Sequence, residues 1–436
     1  MIFANQIGII ADDLTGANDT ALQFQKRGAI TQILLDYNNI GQTSTDMCVW
    51  ATSTESRNIP PEEAIEKVKN AVKSISTSLN IEHFYKKIDS TVRGNIAVET
   101  LAMLKVLDMD ASVIIPAFPS EGRITVGGYH LLKGVPIGRT EMAKDPHSPI
   151  NESHVPTLLK NQLGENNDIV AHIDLKTVMN GAGPILMKIN ELVKEGKKLI
   201  VADATSIVDI EQIILAINKS GFNILPTGTA ATATVLSSIW LPDENDYIPY
   251  VIPKLPKLII SGSATEINCN QIEKFKNSDD SEDVYEIALT QKNIIDGVSD
   301  DMVTNILANL KQDNTVLVHS SYLVENFDGF SDDSLNAELT KTKFASKITD
   351  YLAELTQKVT LAKQVLLLTL GGETSYKCCK AINAIELKLL DEVAPAIALC
   401  IDTNGQLIIT KSGNLGNSNT LIDIMRYIKR HEQQHL

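Results

Sequence analysis

A chain of 436 residues is too long for one ordinary hydrophobic core, so two domains are expected. Its 54 acidic against 39 basic side chains leave a net charge of −15, which argues against broad binding to nucleic acid or to an anionic membrane surface. An anionic substrate must then be drawn in by local basic clusters. No apolar run reaches membrane-spanning length, and "MIFANQIGII" lacks a basic leader region. The five cysteines (Cys48, Cys269, Cys378, Cys379, Cys400) are odd in number, scattered and without metal-site spacing, as expected of reduced thiols in a cytoplasm. The adjacent pair Cys378 and Cys379 reads as helix packing.

In chain order, strand-like runs fall at IGIIA (7–11), TQILLD (31–36), MCVWATS (47–53), FYKKID (84–89), ASVIIPA (111–117), DIVAHID (168–174) and KKLIVADA (197–204). Amphipathic helices separate several of them. In "PPEEAIEKVKNAVKSI" the apolar Ile65, Val68, Val72 and Ile75 recur at helical spacing behind prolines and glutamates. Such alternation predicts an α/β fold, a mostly parallel sheet flanked by helices. The proline-rich, acidic stretch 241–256 interrupts the pattern and reads as a linker. Beyond it the alternation restarts: KLIISGS (257–263), a helix from Thr265, VYEIAL (284–289), TVLVHSS (315–321), a long helix near 335–359 and QVLLLTLG (364–371). An Asn-Gly turn inside "AIALCIDTNGQLIITKSG" predicts a hairpin near the end. The expected division is therefore 1–245 and 257–436, two domains of the same α/β class.

The chemical residues cluster where strands run out, which is where open α/β sheets bind ligands. Asp12 and Asp13 end the first strand; two carboxylates left dry there would be costly, so they face water, a cation or a ligand. "YKKIDSTVRGN" carries Lys86, Lys87, Asp89, Ser90, Thr91 and Arg93, and "STESRNIP" places Arg57 past the third strand. These groups suit a small anion with hydroxyls, and a surface salt-bridge network beside a capped helix fits them equally. The stretch 116–155, rich in glycine and proline and containing Arg123, Arg139, Lys144, Asp145 and His147, reads as an ordered active-site loop. His130, His147 and His154 match no familiar metal spacing and read as structural or solvated. Three turns, "IISGSATE", "LTLGGETS" and "ITKSGNLG", follow strands in the second half; free backbone N–H groups at such turns make a phosphate cradle. Neither a P-loop nor a strand-linked GxGxxG is present.

Taken together and in this order, "IIADDLTGANDT", "KKIDSTVRGN", "IPAFPSEGRITVGGYHLLKGVPI" with "KDPHSPI", "LGGETS" and "KSGNLG" resemble the four-carbon acid sugar kinases along nearly the whole chain. The resemblance implies an N-terminal sugar-acid domain, a C-terminal ATP-binding domain, and phosphate transfer to the terminal hydroxyl of an acid such as D-threonate or D-erythronate. "GANDTALQ" is more similar to the threonate and erythronate kinases than to the 3-oxo-tetronate branch, which stays the alternative, together with a non-catalytic sugar-acid sensor. A phosphatase of the haloacid dehalogenase type would want two aspartates with one residue between them, and Asp12 and Asp13 are adjacent. Carried over by motif, Asp12, Arg57, Lys87, Asp89, Ser90, Thr91 and Arg93 would hold the sugar acid, and Ser261, Ser263, Gly371, Gly372, Glu373, Thr374 and Gly413 would hold ATP. Magnesium on the phosphates is implied, with no protein ligand named. Arg57 or Lys87 would meet the substrate carboxylate, Asp89 is favoured as base, Asp12 as substrate anchor and Asp13 as a brace of the turn. Partners are small molecules rather than nucleic acid or membrane, and a homodimer stays open. "LPTGTAATATVL" stands where a Gly-Ser-Ala-Gly turn is expected, and Leu415 replaces a usual phenylalanine.

Overall fold

The computed structural model describes residues 6–38, 40, 49–145, 148–241, 250–281, 284–311, 314–324, 331–332, 337–338 and 341–432. Cys48, His147 and the middle of the expected linker lie outside the described residues. The chain divides into two compact units, Met1–Tyr247 and Ile248–Leu436. Among the described residues no helix is long and apolar enough to cross a membrane.

Among the described residues the main sheet of the first unit has eight strands in the spatial order Thr31–Leu34, Val49–Ser53, Ile7–Ala11, His83–Lys87, Ile224–Gly228, Ala111–Ile115, Leu199–Ala202 and Val170–Ile173, every neighbouring pair parallel. Ile7–Ala11 is buried along its whole length. A strand covered on both faces has no polar side, so it reads as a continuous apolar run instead of an alternating one. On one face pack the helices Pro61–Ser78, Ile96–Leu107 and Val155–Leu163, with Val68, Val72, Met103 and Leu159 meeting Ile10, Trp50 and Ile114. Leu14–Gln25, Ala230–Trp240 and Ile207–Asn218 form a separate row, each packed on the next. Helix Pro61–Ser78 starts with proline at its first position and Glu62 and Glu63 in its first turn, where a fixed φ and negative charge both favour a helix N-terminus. Its buried stripe is Ala64, Val68, Ala71, Val72 and Ile75, with Ile65 at the margin.

The stretch 116–155 carries secondary structure of its own. Arg123–Val126, Tyr129–Leu132 and Val135–Pro136 make a small antiparallel sheet followed by short 3₁₀ turns. Gly127 and Gly128, at φ of 60° and 76°, form its first reversal, a conformation that suits glycine. The strand Ile224–Gly228 was hidden from the sequence reading because "ILPTG" is short and contains proline.

The second unit has the order Val284–Ala288, Thr315–His319, Lys257–Ser261, Leu366–Leu370, Leu407–Lys411, Ile397–Asp402 and Glu386–Ala394. The first five are parallel; Ile397–Asp402 runs antiparallel to Leu407–Lys411, the two joined by the expected Asn-Gly hairpin, and Glu386–Ala394 runs antiparallel to Ile397–Asp402. Its core gathers Ile259, Phe275, Leu317, Leu368, Leu399, Ile409 and Leu415, so leucine at that last position serves as a core residue. The helix near the expected 335–359 spans Lys341–Ala362, and Cys378 and Cys379 are buried in Gly372–Ala381. Strand order reverses beside Ile7–Ala11 in the first unit and beside Lys257–Ser261 in the second. The crevice beyond the carboxyl ends at such reversals is the ligand site of open α/β sheets.

Candidate active site

In the first unit three strand ends deliver one constellation. Asp12 and Asp13 follow Ala11, Arg57 follows the strand Val49–Ser53, and Asp89 follows Lys87. The Arg57 guanidinium grips Asp12 bidentately, Nε to Oδ2 at 2.8 Å and Nη2 to Oδ1 at 3.0 Å, and reaches Asp13 Oδ2 through Nη1 at 2.8 Å. Its Nη2 also lies 3.7 Å from Asp89 Oδ1. Arg93 closes on Asp89 from the other side, with Nε 2.8 Å from Oδ2 and Nη2 3.2 Å from Oδ1, and its Nη1 bonds Asp145 Oδ2 at 2.8 Å. The Thr91 hydroxyl donates to Asp89 as well. Arg57, expected to be open to a substrate carboxylate, thus has its fork taken by Asp12 and Asp13.

Asp89 and Asp12 are buried but stay ionised. Burial pushes Asp89 upward, but the guanidiniums of Arg93 and Arg57 outweigh it and hold the group well below the usual carboxylate range. Asp12 is lowered too, with Arg57, Lys86 and Lys87 together overcoming its burial. Asp13 braces the turn, as expected: it is the N-cap of helix Leu14–Gln25, and its Oδ1 accepts from Gly16 N at 2.8 Å. A Cβ at Gly16 would sit 2.5 Å from Asp13 Oδ1 and 2.9 Å from Lys87 Nζ, so glycine is what lets these two groups come together. Lys87 Nζ donates to Ile88 O at 2.9 Å, on the site side of its strand. Lys86 points the other way, as strand alternation requires, into a fully buried pair with Glu99 at 2.7 Å. Ser90 is half-buried, and its carbonyl meets His130 Nε2 at 2.9 Å; that buried imidazole is pulled down to about 4 by burial and is structural. His154 meets Thr157 Oγ1.

Two residues here were missed by sequence reasoning. Glu55 accepts from Leu14 N at 2.9 Å and from the Ser53 hydroxyl, and burial, then the charge of Asp13, push its carboxyl up to about 8. Glu55 and Val92 both hold positive φ, 44° and 58°. For a β-branched valine that conformation is a genuine outlier, of the kind retained at functional sites. Only a strained backbone could have flagged them, and composition carries no such signal.

In the second unit three turns converge. Gly371, at φ 116°, is the N-cap of helix Gly372–Ala381 and donates to Lys411 O at 2.8 Å. A Cβ at Gly262 would fall 2.4 Å from Thr374 Oγ1, and one at Gly413 would fall 2.0 Å from Ser263 Oγ. Thr265 Oγ1 donates to Gly413 O at 2.7 Å, and Asn268 Nδ2 donates to the buried Ser261 Oγ at 2.9 Å. Ser261, Ser263, Gly371, Thr374 and Gly413 are therefore brought together, and Gly372 opens the helix whose first amide groups remain for a ligand. Glu373 turns aside to Lys377, 3.0 Å away, and Thr349. Lys411, also missed, is wholly buried, and desolvation pulls it down to about 7; its Nζ donates to Ser412 O at 2.8 Å. The turn 226–232 is a tight junction: Gly228 lies against Ile115 O, where a Cβ would come within 2.7 Å, and Gly228 O accepts from Ile88 N.

Each half of the chain matches a known domain family. Residues 7–236 match a sugar-binding N-terminal domain and residues 258–421 a nucleotide-binding C-terminal domain. The chain is 28% identical over 454 residues to a D-erythronate kinase of Heliobacterium modesticaldum, covering 97% of each. It is 28% identical over 429 residues to a D-threonate kinase of Salmonella typhimurium, covering 97% of this chain and 98% of that one. A crystal structure of a Haemophilus influenzae protein shares the fold, with a TM-score of 0.69 at 23% identity, over 97% of this chain and 99% of the other. With both family models and full-length kinase relatives matched, the chain belongs to the four-carbon acid sugar kinase family.

Proposed function

We propose that the protein transfers the γ-phosphoryl group of ATP to the terminal hydroxyl of a four-carbon sugar acid of the D-threonate or D-erythronate type. The observation that carries this reading is the ionised network of Asp12, Arg57, Asp89 and Arg93 at the reversal of strand order. Buried carboxylates held in the charged state are hydrogen-bond acceptors for a polyhydroxylated ligand and proton acceptors for an attacking hydroxyl. Asp12 anchors substrate hydroxyls; Lys87, Ser90, Thr91 and Arg93 complete the pocket. The substrate oxygen attacks the γ-phosphorus, the bond to the bridging β,γ-oxygen breaks, ADP leaves, and the hydroxyl proton passes to Asp89. Asp89 is a weak base with so low a pKa, and that suffices: a loose transition state asks chiefly for alignment and charge neutralisation.

Ser261, Ser263, Gly371, Gly372, Thr374 and Gly413 seat the nucleotide phosphates, with Glu373 bracing the helix through Lys377. Magnesium on the phosphates would neutralise charge on the transferring group. Among the described residues no group of three or more His, Cys, Asp or Glu side chains is placed to hold a metal ion, so phosphate and water oxygens would supply most of its shell. ATP as co-substrate makes the cytoplasm the natural location.

The test is a panel of threonate, erythronate and 3-oxo-tetronate isomers with ATP and magnesium, following ADP release and the phosphorus signal of a terminal phosphate ester. Turnover restricted to a 3-oxo-tetronate would move the chain to that branch. Binding of an acid with no ADP release by folded protein would make it a sensor instead of a kinase.

A further inference from the structure

Arg123 opens the strand Arg123–Val126 on the small antiparallel sheet of the first unit. Along that strand Arg123 and Thr125 are buried, Ile124 is half-buried and Val126 exposed, so Arg123 and Thr125 share one face. Thr125 pairs across the hairpin with His130, whose Nδ1 lies 3.1 Å from Thr125 Oγ1 and whose Nε2 reaches Ser90 O at 2.9 Å. The face that carries Arg123 is therefore applied to the loop holding Asp89, Ser90 and Thr91. The hairpin is clamped from behind: Asp203 accepts from Gly127 N at 2.7 Å and Gly128 N at 2.9 Å, and Thr125 N donates to Ala204 O at 2.9 Å. Arg123 is itself tied to Phe118 through both its N–H and its carbonyl.

The side chain so carefully placed is left incomplete. Arg123 is only 5% exposed, its Nε has no hydrogen-bond partner, and among the described residues no carboxylate forms an ion pair with it. The other two guanidiniums of the site already have counter-ions, Arg57 in Asp12 and Asp13, Arg93 in Asp89 and Asp145. Arg123 feels the attraction of Asp89 and the repulsion of Arg93, so it stands in the field of the same crevice. Burial lowers its pKa, but a guanidinium remains charged, and a buried unpaired charge is costly unless an anion completes it.

We propose that Arg123 receives the carboxylate of the sugar acid, setting the C1 end against the hairpin and leaving the hydroxyl chain to Asp12 and Asp89. The assignment rests on the reading of this unit as a sugar-acid site. Its planar fork suits a carboxylate, and Arg57 has no fork to spare. The other anion within reach of the chemistry is the γ-phosphate, and nucleotide-free binding separates the two.

The experiment is calorimetric binding of D-threonate and D-erythronate and of their neutral amides, without nucleotide, to the wild type, Arg123→Gln and Arg123→Lys, with thermal unfolding of each. Wild type should prefer acid over amide. Arg123→Gln should lose affinity for the acid by something on the order of 10- to 100-fold, the span of a charge-assisted hydrogen bond, with the amide within about 3-fold of wild type. Arg123→Lys should recover part of the acid preference, since it keeps charge without the fork. Because the replaced charge is unpaired, the melting temperature of Arg123→Gln should match or exceed wild type. Equal losses for acid and amide, or intact acid binding with weakened ATP binding, would overturn the assignment. Should Arg123→Gln unfold, Arg123→Lys decides: an unchanged acid-to-amide ratio there refutes it. Acid preference that depends on Arg123 without any turnover sinks the kinase reading alone, and wild type that binds neither ligand sinks both.

Discussion

Asp89 and Gly371 hold equivalent places in their units, each just past a parallel strand beside the reversal of strand order, yet their surroundings are built by opposite means. Around Asp89 the crevice is made of fixed charge: Asp12, Asp13 and Asp145 against Arg57 and Arg93, with the Lys86–Glu99 pair buried behind. Around Gly371 it is made of backbone and hydroxyls, with one buried lysine, Lys411, that among the described residues pairs with no carboxylate. A polyhydroxylated acid offers few charges and many hydroxyls, so it is recognised by side chains in set directions. A polyphosphate brings its own charge, so it needs close amide groups and room for the backbone to approach. A charged site must also be maintained from behind; an amide cradle must only be kept free of side chains.

The comparison is tested most severely by the two buried lysines. Lys86→Met would leave Glu99 buried and uncompensated, and should cost about 3–5 kcal/mol in denaturant unfolding. Lys411→Met removes a charge with no counter-ion and should be neutral or stabilising in the same assay. Equal losses in both would erase the distinction between the sites.

Next in size is the effect on turnover. Asp89→Asn should lower kcat by about 10²-fold or more with a modest change in KM, whereas Asp12→Asn should chiefly raise KM for the acid. Steady-state kinetics with the acid varied reads both, and the reverse pattern would exchange the roles of anchor and base.

Smaller again is the steric test of the cradle. A Cβ at residue 413 would meet Ser263 Oγ at 2.0 Å and its Cβ at 2.9 Å. Gly413→Ala should therefore weaken ATP binding by roughly 10-fold as the two turns move apart, leaving nucleotide-free acid binding unchanged. A loss of acid affinity in that variant would contradict the separation of tasks.

A gradual effect is a pH slope in the charged site. Glu55 is raised to about 8 in the folded protein, against roughly 4.3 in an unfolded chain. The folded state thus binds the extra proton, and the stabilisation it brings is fully present below about 4.3 and lost as pH rises toward 8. Between pH 5 and 7 this group should lower stability by at most about 1.4 kcal/mol per pH unit. Unfolding midpoints across that range should show the slope in wild type and lack it in Glu55→Gln.

Much of this organisation is legible in the residues themselves. Apolar runs such as IGIIA and LLLTL announce buried parallel strands because no polar side is needed when helices cover both faces. The ends of those runs mark candidate ligand sites, because carboxylates and close-packed glycine turns gathered at strand ends ask for more than packing. Asp13 is readable as a cap from its place one residue before the helix Leu14–Gln25. The strand Ile224–Gly228 and the small sheet within 116–155 are not readable, since proline and paired glycines signal turns more strongly than these short strands signal pairing.

What only the tertiary structure decided is who pairs with whom. Asp12 and Arg57 are 45 residues apart, and Arg93 meets Asp145 across 52, so no local pattern can say that these guanidiniums are taken while Arg123 is left over. Sequence determines which side chains a strand end can present, through periodicity, capping and the demands of burial. Their charge states depend on partners and on the water that packing removes, and both are properties of the folded chain. Lys86 and Lys87 are adjacent and alike in sequence; alternation along one strand sends the first to a buried ion pair and the second toward the site.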